Sequence, residues 1–192
     1  MNVLVFAGSI RSDSYNQKLA RAAAAALQEA GADVTFADLK AYPMPFYDGD
    51  VEASQGMPEN ARAFKKILGQ HDAFVIASPE YNGSFPALLK NVIDWTSRPE
   101  TGEKPLVAYR GKTAAILSTS PGPGGGKRGL KQLRELLEMM GVDVIPAQLA
   151  IARAGEAFDA TGELTRPDDG NALNRLAADL VSAVRQKSAV LA

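Results

Sequence analysis

The sequence has no cysteine, and it has only one histidine among its 192 residues. Without cysteine the chain has no thiol nucleophile, no disulfide, no iron–sulfur ligand and no cysteine zinc site. Any redox chemistry would therefore need a bound cofactor. The single histidine, His71, comes just before a predicted strand, at the sheet end opposite the glycine-rich loops considered below. This position argues against a Ser-His-Asp triad or a histidine metal centre at those loops.

An excess of charge and long apolar runs are lacking as well. The formal net charge is −1 at pH 7, so the basic excess typical of proteins that bind nucleic acid or anionic membranes is absent. No apolar run approaches the roughly 18 residues of a membrane span, and no basic leader precedes the first apolar run. We therefore expect a cytoplasmic protein without nucleic-acid or membrane partners, folded as one domain over residues 1–192.

Apolar runs alternate regularly with amphipathic segments. Strands rich in Val, Ile, Leu, Phe and Ala are predicted at residues 3–7, 34–37, 73–78, 113–119 and 142–145. Helices are predicted after Asn16 as far as Gly31, from Met57 onward, from about 84 to Trp95, over 129–140 and over 169–187. The alternation predicts an α/β fold with three layers and a doubly wound, five-stranded parallel sheet. Residues 39–56, with their prolines and glycine, are predicted to be a long surface connection.

Three loops rich in Gly, Ser, Pro and Asn follow the first, third and fourth predicted strands. Such sheets bind ligands beyond the carboxyl ends of their strands, near the point where the strand order reverses. In the first loop Ser9, Arg11, Ser14 and Asn16 bring neutral donors and one positive charge to the start of a helix, which predicts a phosphate site. The alternative is an ordinary strand-to-helix turn in which these residues only cap the helix.

The second loop combines Tyr81, Asn82 and Gly83 at the end of a strand. This combination suits the edge of a flat heterocycle, but a tight turn capped by Ser84 explains the same residues equally well. Glu80 and the Asp13 of the first loop are each the sole carboxylate of their loop. We therefore expect capping or ion pairing there rather than a paired-carboxylate site.

The third loop covers residues 118–126 and has two possible interpretations. Its glycines let a ring or a pyrophosphate approach the backbone closely, or it is only a flexible surface loop. Gly124, Gly126 and Gly129 formally satisfy the GxGxxG pattern. The pattern lies late in the chain and follows a loop broken by proline, which argues against a dinucleotide-binding fingerprint.

The first loop, Gly8-Ser9-Ile10-Arg11-Ser12-Asp13-Ser14-Tyr15-Asn16, resembles the GSxRxxSxN signature of NADPH-dependent FMN reductases. Pro79-Glu80-Tyr81-Asn82-Gly83-Ser84 resembles the family's PEYNGS segment, and residues 118–126 resemble its glycine-rich third loop. Length and element order agree with the family along nearly the whole chain. The resemblance implies a flavodoxin-like fold that holds FMN non-covalently.

The resemblance also implies which residues bind FMN, with the phosphate on the first loop and the ring against the other two. They are Ser9, Arg11, Ser14, Tyr15, Asn16, Pro79, Glu80, Tyr81, Asn82, Gly83, Ser118, Ser120 and Gly122. Tyr81 and Asn82 would position the ring, and Gly83 would approach it with its backbone. Glu80 would only lie nearby. Arg11 is open to a second role, at the 2′-phosphate of NADPH.

Family members pass electrons from NADPH or NADH to quinones, azo compounds, chromate, ferric complexes or free flavin. The resemblance thus implies a ping-pong reaction in which nicotinamide gives hydride to flavin N5 and a small-molecule acceptor then takes two electrons in the same slot. No catalytic side chain and no metal is required, which agrees with a site without His and Cys. The family also implies a homodimer or homotetramer. Phe46, Tyr47 and Arg98 are either contacts between subunits or ordinary solvent-facing residues.

Two other functions stay open at this point. A flavodoxin-type electron carrier would bind FMN but take electrons from a protein; the presence of Arg11 and the small net charge argue against it. A non-catalytic FMN-binding sensor would keep the fold without turnover, and the fold alone does not exclude that.

Overall fold

The computed structural model describes residues 1–191 and arranges them about a parallel sheet. The strands are β1 (Asn2–Ala7), β2 (Asp33–Ala37), β3 (Ala73–Ala77), β4 (Thr113–Thr119), β5 (Asp143–Val144) and β6 (Leu149–Ile151). The helices are α1 (Tyr15–Glu29), α2 (Gly49–Gln55), α3 (Glu59–Gln70), α4 (Ala87–Thr96), α5 (Lys127–Met139), α6 (Ala154–Ala157) and α7 (Pro167–Leu191). The strand order β2-β1-β3-β4-β5, with β6 also on β4, is the flavodoxin-like order. The predicted fold class is confirmed.

The three central strands are largely buried and mostly apolar because helices cover both faces of the sheet. In β1, Val3 and Val5 point into a core shared with α1 and α7, whereas Leu4 and Phe6 point into the core formed with α3, α4 and α5. This alternation follows from the period of two along a strand. The apolar run that predicted β1 therefore arises because alternate residues are buried on the two faces of the sheet.

The fifth position of the sheet is divided between two short segments. The sequence predicts a single strand over 142–145, but β5 pairs with the start of β4 and β6 pairs with its end. Between them lies Pro146, which has no N–H for a ladder hydrogen bond and interrupts the pairing. Six strands therefore fill five positions, and β6 carries the chain to the carboxyl end of β4.

The segment 39–56, predicted to be a surface connection, contains a single 3-10 turn (Leu39–Ala41) and α2. Its middle is fastened to α4. The side-chain amide of Asn91 donates to the Pro45 carbonyl at 2.9 Å and accepts from the Tyr47 N–H at 2.8 Å. The indole N–H of Trp95 donates to the same Pro45 carbonyl at 2.8 Å, and Trp95 is fully buried.

The other helices agree with the sequence within a few residues, except for the short α6, which the sequence analysis missed. His71 caps the carboxyl end of α3 and its Nδ1 lies 2.7 Å from the Ile67 carbonyl oxygen. It therefore precedes β3, at the edge of the sheet away from the three loops. No helix within residues 1–191 combines the length and the apolar character that a membrane crossing requires.

The double hydrogen bond of Asn91 gives a test of the fastened connection. Asn91→Ala leaves the Tyr47 N–H without its partner, and we expect the free energy of unfolding to fall by about 2 kcal/mol in urea denaturation. Asn174→Ala, on the exposed side of α7, is the matched control and should change stability by less than about 0.5 kcal/mol. Equal stability of the two variants would show that the connection is not held in this way.

Candidate functional site

The strand order reverses between β1 and β3, and the loops after β1, β3 and β4 meet at the carboxyl edge of the sheet. They enclose a cleft of about 410 Å³, open mouth included, lined by Ser9, Arg11, Ser14, Tyr15, Asn16, Pro79, Glu80, Tyr81, Thr119, Ser120 and Pro121. Of the residues predicted for the site, only Asn82, Gly83, Ser118 and Gly122 do not line this cleft. Thr119 and Pro121 line it and were missed, because neither differs in type from ordinary strand-end residues.

The first loop presents unused donors at the start of α1. Ser9 and Ser14 are both buried, and the Ser14 hydroxyl accepts the Gln17 N–H at 3.4 Å, as an N-cap does. The backbone N–H groups of Tyr15 and Asn16 donate to no protein acceptor within residues 1–191. Free N–H groups at a helix start, with the positive end of the helix dipole, form an anion site.

Arg11 is exposed beside these donors, and its guanidinium donates to the Asp13 carbonyl oxygen at 2.7 Å. The carboxylate of Asp13 lies 3.0 Å from the ammonium group of Lys18. Lys18, through its hydrogen bond and its charge, holds the pKa of the Asp13 carboxyl below its usual range. The only acid of this loop is therefore an ion-pair partner, as expected, and Lys18 partly offsets its negative charge.

Asn16 has a structural task that the sequence did not reveal. Its amide N–H donates to the Thr119 carbonyl at 2.9 Å, and its amide oxygen accepts the Thr119 N–H at 3.0 Å. The buried side chain thus bridges the start of α1 to the end of β4. Only its second amide N–H is left for the phosphate contact expected from the sequence.

The second loop is a tight turn, one of the two alternatives left open above. Tyr81 and Ser84 exchange two backbone hydrogen bonds, 2.9 and 3.1 Å long, around Asn82 and Gly83. Both central residues have positive φ, 53° and 79°, as in the type I′ hairpin turn favoured by Asn-Gly. Gln132 of α5 fastens this turn, because it donates to the Gly83 carbonyl and accepts from the Ser84 hydroxyl.

Glu80 caps α5. One carboxylate oxygen accepts the backbone N–H groups of Arg128 and Gly129, both at 2.9 Å. A carboxylate at a helix N-terminus also complements the helix dipole. Glycine at 129 eases the close approach, since a Cβ there would make a tight contact of 3.3 Å with the Glu80 side chain. Glu80 thus joins the second loop to the helix that follows the third, and this capping role agrees with the sequence analysis.

The third loop closes over a buried hydroxyl. Ser118 has no exposed surface, and its Oγ has no hydrogen-bond partner within residues 1–191. Gly126 packs directly on it with φ of 92°, and a Cβ at that position would lie 1.8 Å from the Ser118 Oγ. Gly125 (φ 62°) is confined in the same way by the backbone of Ala150 and Ile151. The loop is therefore tightly packed at Gly125 and Gly126, whereas Pro121, Pro123 and Gly124 are exposed.

A larger hollow, about 1010 Å³ including open solvent, lies between β5 and α7 at the other edge of the sheet. It is lined mainly by apolar groups, and its two charged residues, Asp143 and Lys187, pair with each other. Binding sites for small ligands combine apolar walls with a few convergent polar groups. The cleft at the three loops meets that description, and the larger hollow does not.

Comparison with known proteins agrees with this site. Residues 1–156 match the family model of NADPH-dependent FMN reductases. An NAD(P)H-dependent FMN reductase of Pseudomonas aeruginosa is 39% identical over 171 residues, which cover 85% of this chain and 84% of the relative. An NAD(P)H:quinone oxidoreductase of Solanum tuberosum is 34% identical over 162 residues, 82% of this chain and 79% of the relative.

The fold also matches a solved structure over nearly its full length. The flavoenzyme NAD(P)H:(acceptor) oxidoreductase of Paracoccus denitrificans superposes with a TM-score of 0.82 at 29% identity, covering 97% of this chain and 98% of that one. The superposition spans nearly all of both chains. Together with the match to the family model, it shows that this chain belongs to the NADPH-dependent FMN reductase family.

Proposed function

We propose that this protein is an FMN-dependent NAD(P)H oxidoreductase that passes two electrons to quinones or similar small acceptors, and that residues 1–192 form a single FMN-binding domain. The observation that carries the proposal is the cleft itself. Unused donors at the start of α1 lie there beside two loops held at fixed positions, in a chain whose relatives are named FMN and quinone reductases.

The phosphate of FMN fits the first loop. Its binding groups are the free N–H groups of Tyr15 and Asn16, the hydroxyls of Ser9 and Ser14, and the guanidinium of Arg11. A phosphate accepts such hydrogen bonds through several oxygens at once, and a guanidinium adds a charge-assisted pair. Because the Asp13 carboxylate is paired with Lys18, its electrostatic repulsion of the FMN phosphate is reduced.

The ring fits between the other two loops. Pro79, Tyr81 and Ser120 line the cleft from these loops, whereas the Ser118 hydroxyl is buried under Gly126 beside them. Asn82, Gly83 and Gly122 adjoin these lining residues in the chain without lining the cleft themselves. The aromatic ring of Tyr81 and the hydroxyl of Ser120 are groups that suit a flat, polar heterocycle.

FMN, when bound, supplies the two-electron hydride chemistry. The protein then has to bind, orient and shield the reactants, and no side chain of the cleft is required as a nucleophile. Tyr81, with 56% of its surface exposed, stands at the rim, where a nicotinamide and an acceptor would enter in turn. We propose that donor and acceptor use the same open side of the cleft.

We also propose that the chain assembles as a homodimer or homotetramer. Phe46 is 79% exposed although the connection that carries it is fastened to α4. Tyr47 packs edge-on against Trp95 with ring centres 5.0 Å apart and donates to Glu52 at 2.8 Å. Arg98 pairs with the same Glu52 at 3.1 Å. A rigid segment that presents a bare aromatic ring suits a subunit contact.

The first prediction concerns the cofactor. The purified protein should be yellow, and Arg11→Ala should weaken FMN binding about tenfold because a charge-assisted hydrogen bond to the phosphate is lost. Quenching of flavin fluorescence on titration of the apoprotein measures this. Arg175→Ala, an exposed arginine of α7, is the control and should bind FMN as the wild type does. Protein that stays colourless with added FMN would contradict the proposal.

The second prediction concerns turnover. The FMN-loaded protein should oxidise NADPH or NADH steadily in the presence of benzoquinone, without any added reductase, as followed by absorbance at the nicotinamide band. A two-substrate kinetic analysis should give parallel double-reciprocal lines, since both reactants use the same side of the cleft. An FMN that stays oxidised under excess NADPH and NADH would instead indicate a carrier or a sensor.

The third prediction concerns the packing of the third loop. Gly126→Ala places a methyl group on Ser118 and forces an alanine into the left-handed region, so we expect a loss of about 2–4 kcal/mol in unfolding free energy. FMN affinity should fall as well, because Ser118 and the loop would be displaced. Gly124→Ala is the control, since nothing lies within 4 Å of its added Cβ. If both variants unfold at the same urea concentration, the packing argument fails.

A further inference from the structure

A second hollow adjoins the cofactor cleft. It is lined by Tyr15, Pro121, Pro123, Arg153, Gly155 and Glu156, and its volume is about 800 Å³ including open solvent. Tyr15 and Pro121 line both sites, so the two share a wall. A molecule in the open side of the cofactor cleft can therefore extend into this hollow without leaving the surface of the protein.

The backbone around Arg153 is tied to the third loop. Its N–H donates to the Gly122 carbonyl at 3.2 Å, and the next N–H, of Ala154, donates to the Ser120 carbonyl at 3.0 Å. On the other side Phe158 stacks on Tyr15 with ring centres 6.2 Å apart. The position of Arg153 relative to the cleft is thus fixed from two sides, although its side chain is exposed.

Arg153 also has an unusual backbone conformation. Its φ and ψ are 53° and 54°, the left-handed region that residues with a Cβ adopt only at a cost. Glycine would remove that cost. Its guanidinium makes no hydrogen bond and no ion pair with the part of the chain that the structure describes, although Glu156 lines the same hollow. A strained backbone at a residue whose charged side chain is exposed and unpaired is typical of a ligand-binding position.

We propose that Arg153 binds a phosphate group of the nicotinamide dinucleotide, a role that rests on the function proposed above. The dinucleotide is longer than its nicotinamide end, so its phosphates must lie outside the cofactor cleft. The guanidinium is a forked donor suited to phosphate oxygens, and the Tyr15 and proline walls suit the faces of a ribose or a base. Glu156 offers an acceptor to ribose hydroxyls.

The dinucleotide offers two kinds of phosphate group that Arg153 could bind. One is the pyrophosphate, and the other is the 2′-phosphate that only the NADP form carries. The phosphate of FMN is served by other groups. The donors at the start of α1 and Arg11 line the cofactor cleft, whereas Arg153 lines only the adjoining hollow. Arg153 is therefore expected to affect the dinucleotide and not the cofactor.

The test uses FMN-loaded protein and titrates it with NADP⁺ and with NAD⁺ in a calorimeter, since the oxidised dinucleotides bind without transferring hydride. Arg153→Ala and Arg153→Gly should each raise the dissociation constant about tenfold, the loss expected for a charged hydrogen bond. A loss confined to NADP⁺ would assign Arg153 to the 2′-phosphate, and an equal loss for both would assign it to the pyrophosphate. Arg175→Ala is again the control.

Two further measurements separate ligand binding from folding. The dissociation constant of FMN from each apoprotein should be unchanged. The thermal midpoint of Arg153→Gly should lie above that of Arg153→Ala, because glycine adopts the left-handed conformation without strain. A structural role for Arg153 would instead make stability and dinucleotide binding fall together.

The outcomes distinguish this inference from the proposed function. Unchanged affinity for both dinucleotides in the two variants, or a loss of FMN affinity, would overturn the role of Arg153 alone. Wild-type protein that binds FMN but neither binds the oxidised dinucleotides nor oxidises NADPH or NADH would overturn the reductase function and this inference with it.

Discussion

The site depends on one side-chain amide. Asn16 makes two hydrogen bonds to the backbone of Thr119, so the first turn of α1 is joined to the end of β4 across the end of β3. In a parallel sheet the loops that follow neighbouring strands have no ladder to hold them together beyond the last paired residue. The amide of Asn16 continues the backbone pairing past that point and sets the distance between the first and third loops.

Other polar groups at the cleft are of two kinds. Some hold the loops in place, and others have no protein partner and are available to a ligand. Glu80 and Gln132 satisfy the backbone of α5 and of the Asn82-Gly83 turn, so they link the second loop to the helix after the third. The first N–H groups of α1, beside the cleft, remain without protein partners. Because polar groups left over in native proteins are few, these leftovers indicate where a ligand completes the structure.

The sequence predicted the sheet well because burial on both faces produces apolar runs, as in residues 73–78. It predicted the three loops because parallel strands end at one edge. It failed at β6 and α6, since three and four residues are too short to show a period. Spacing also could not separate the roles of Asn16 and Arg11, because both look like phosphate donors until the partner of each side chain is known. Arg153 was missed for a similar reason: only the pairing of β6 with β4 brings it beside the first loop.

Several residues at this edge of the sheet have a left-handed backbone, and their residue types differ in how easily they adopt it. At the second loop, Asn82 and Gly83 are residue types that adopt positive φ cheaply, and at the third loop Gly125 and Gly126 do the same. Arg153 is the exception, since its side chain costs about 1–2 kcal/mol in that conformation and glycine would avoid the cost. Loop packing alone would favour glycine at 153, because the hydrogen bonds to Gly122 and Ser120 use only backbone groups. The fold therefore accounts for the conformation of the backbone at residue 153, while the arginine side chain needs a reason outside the fold.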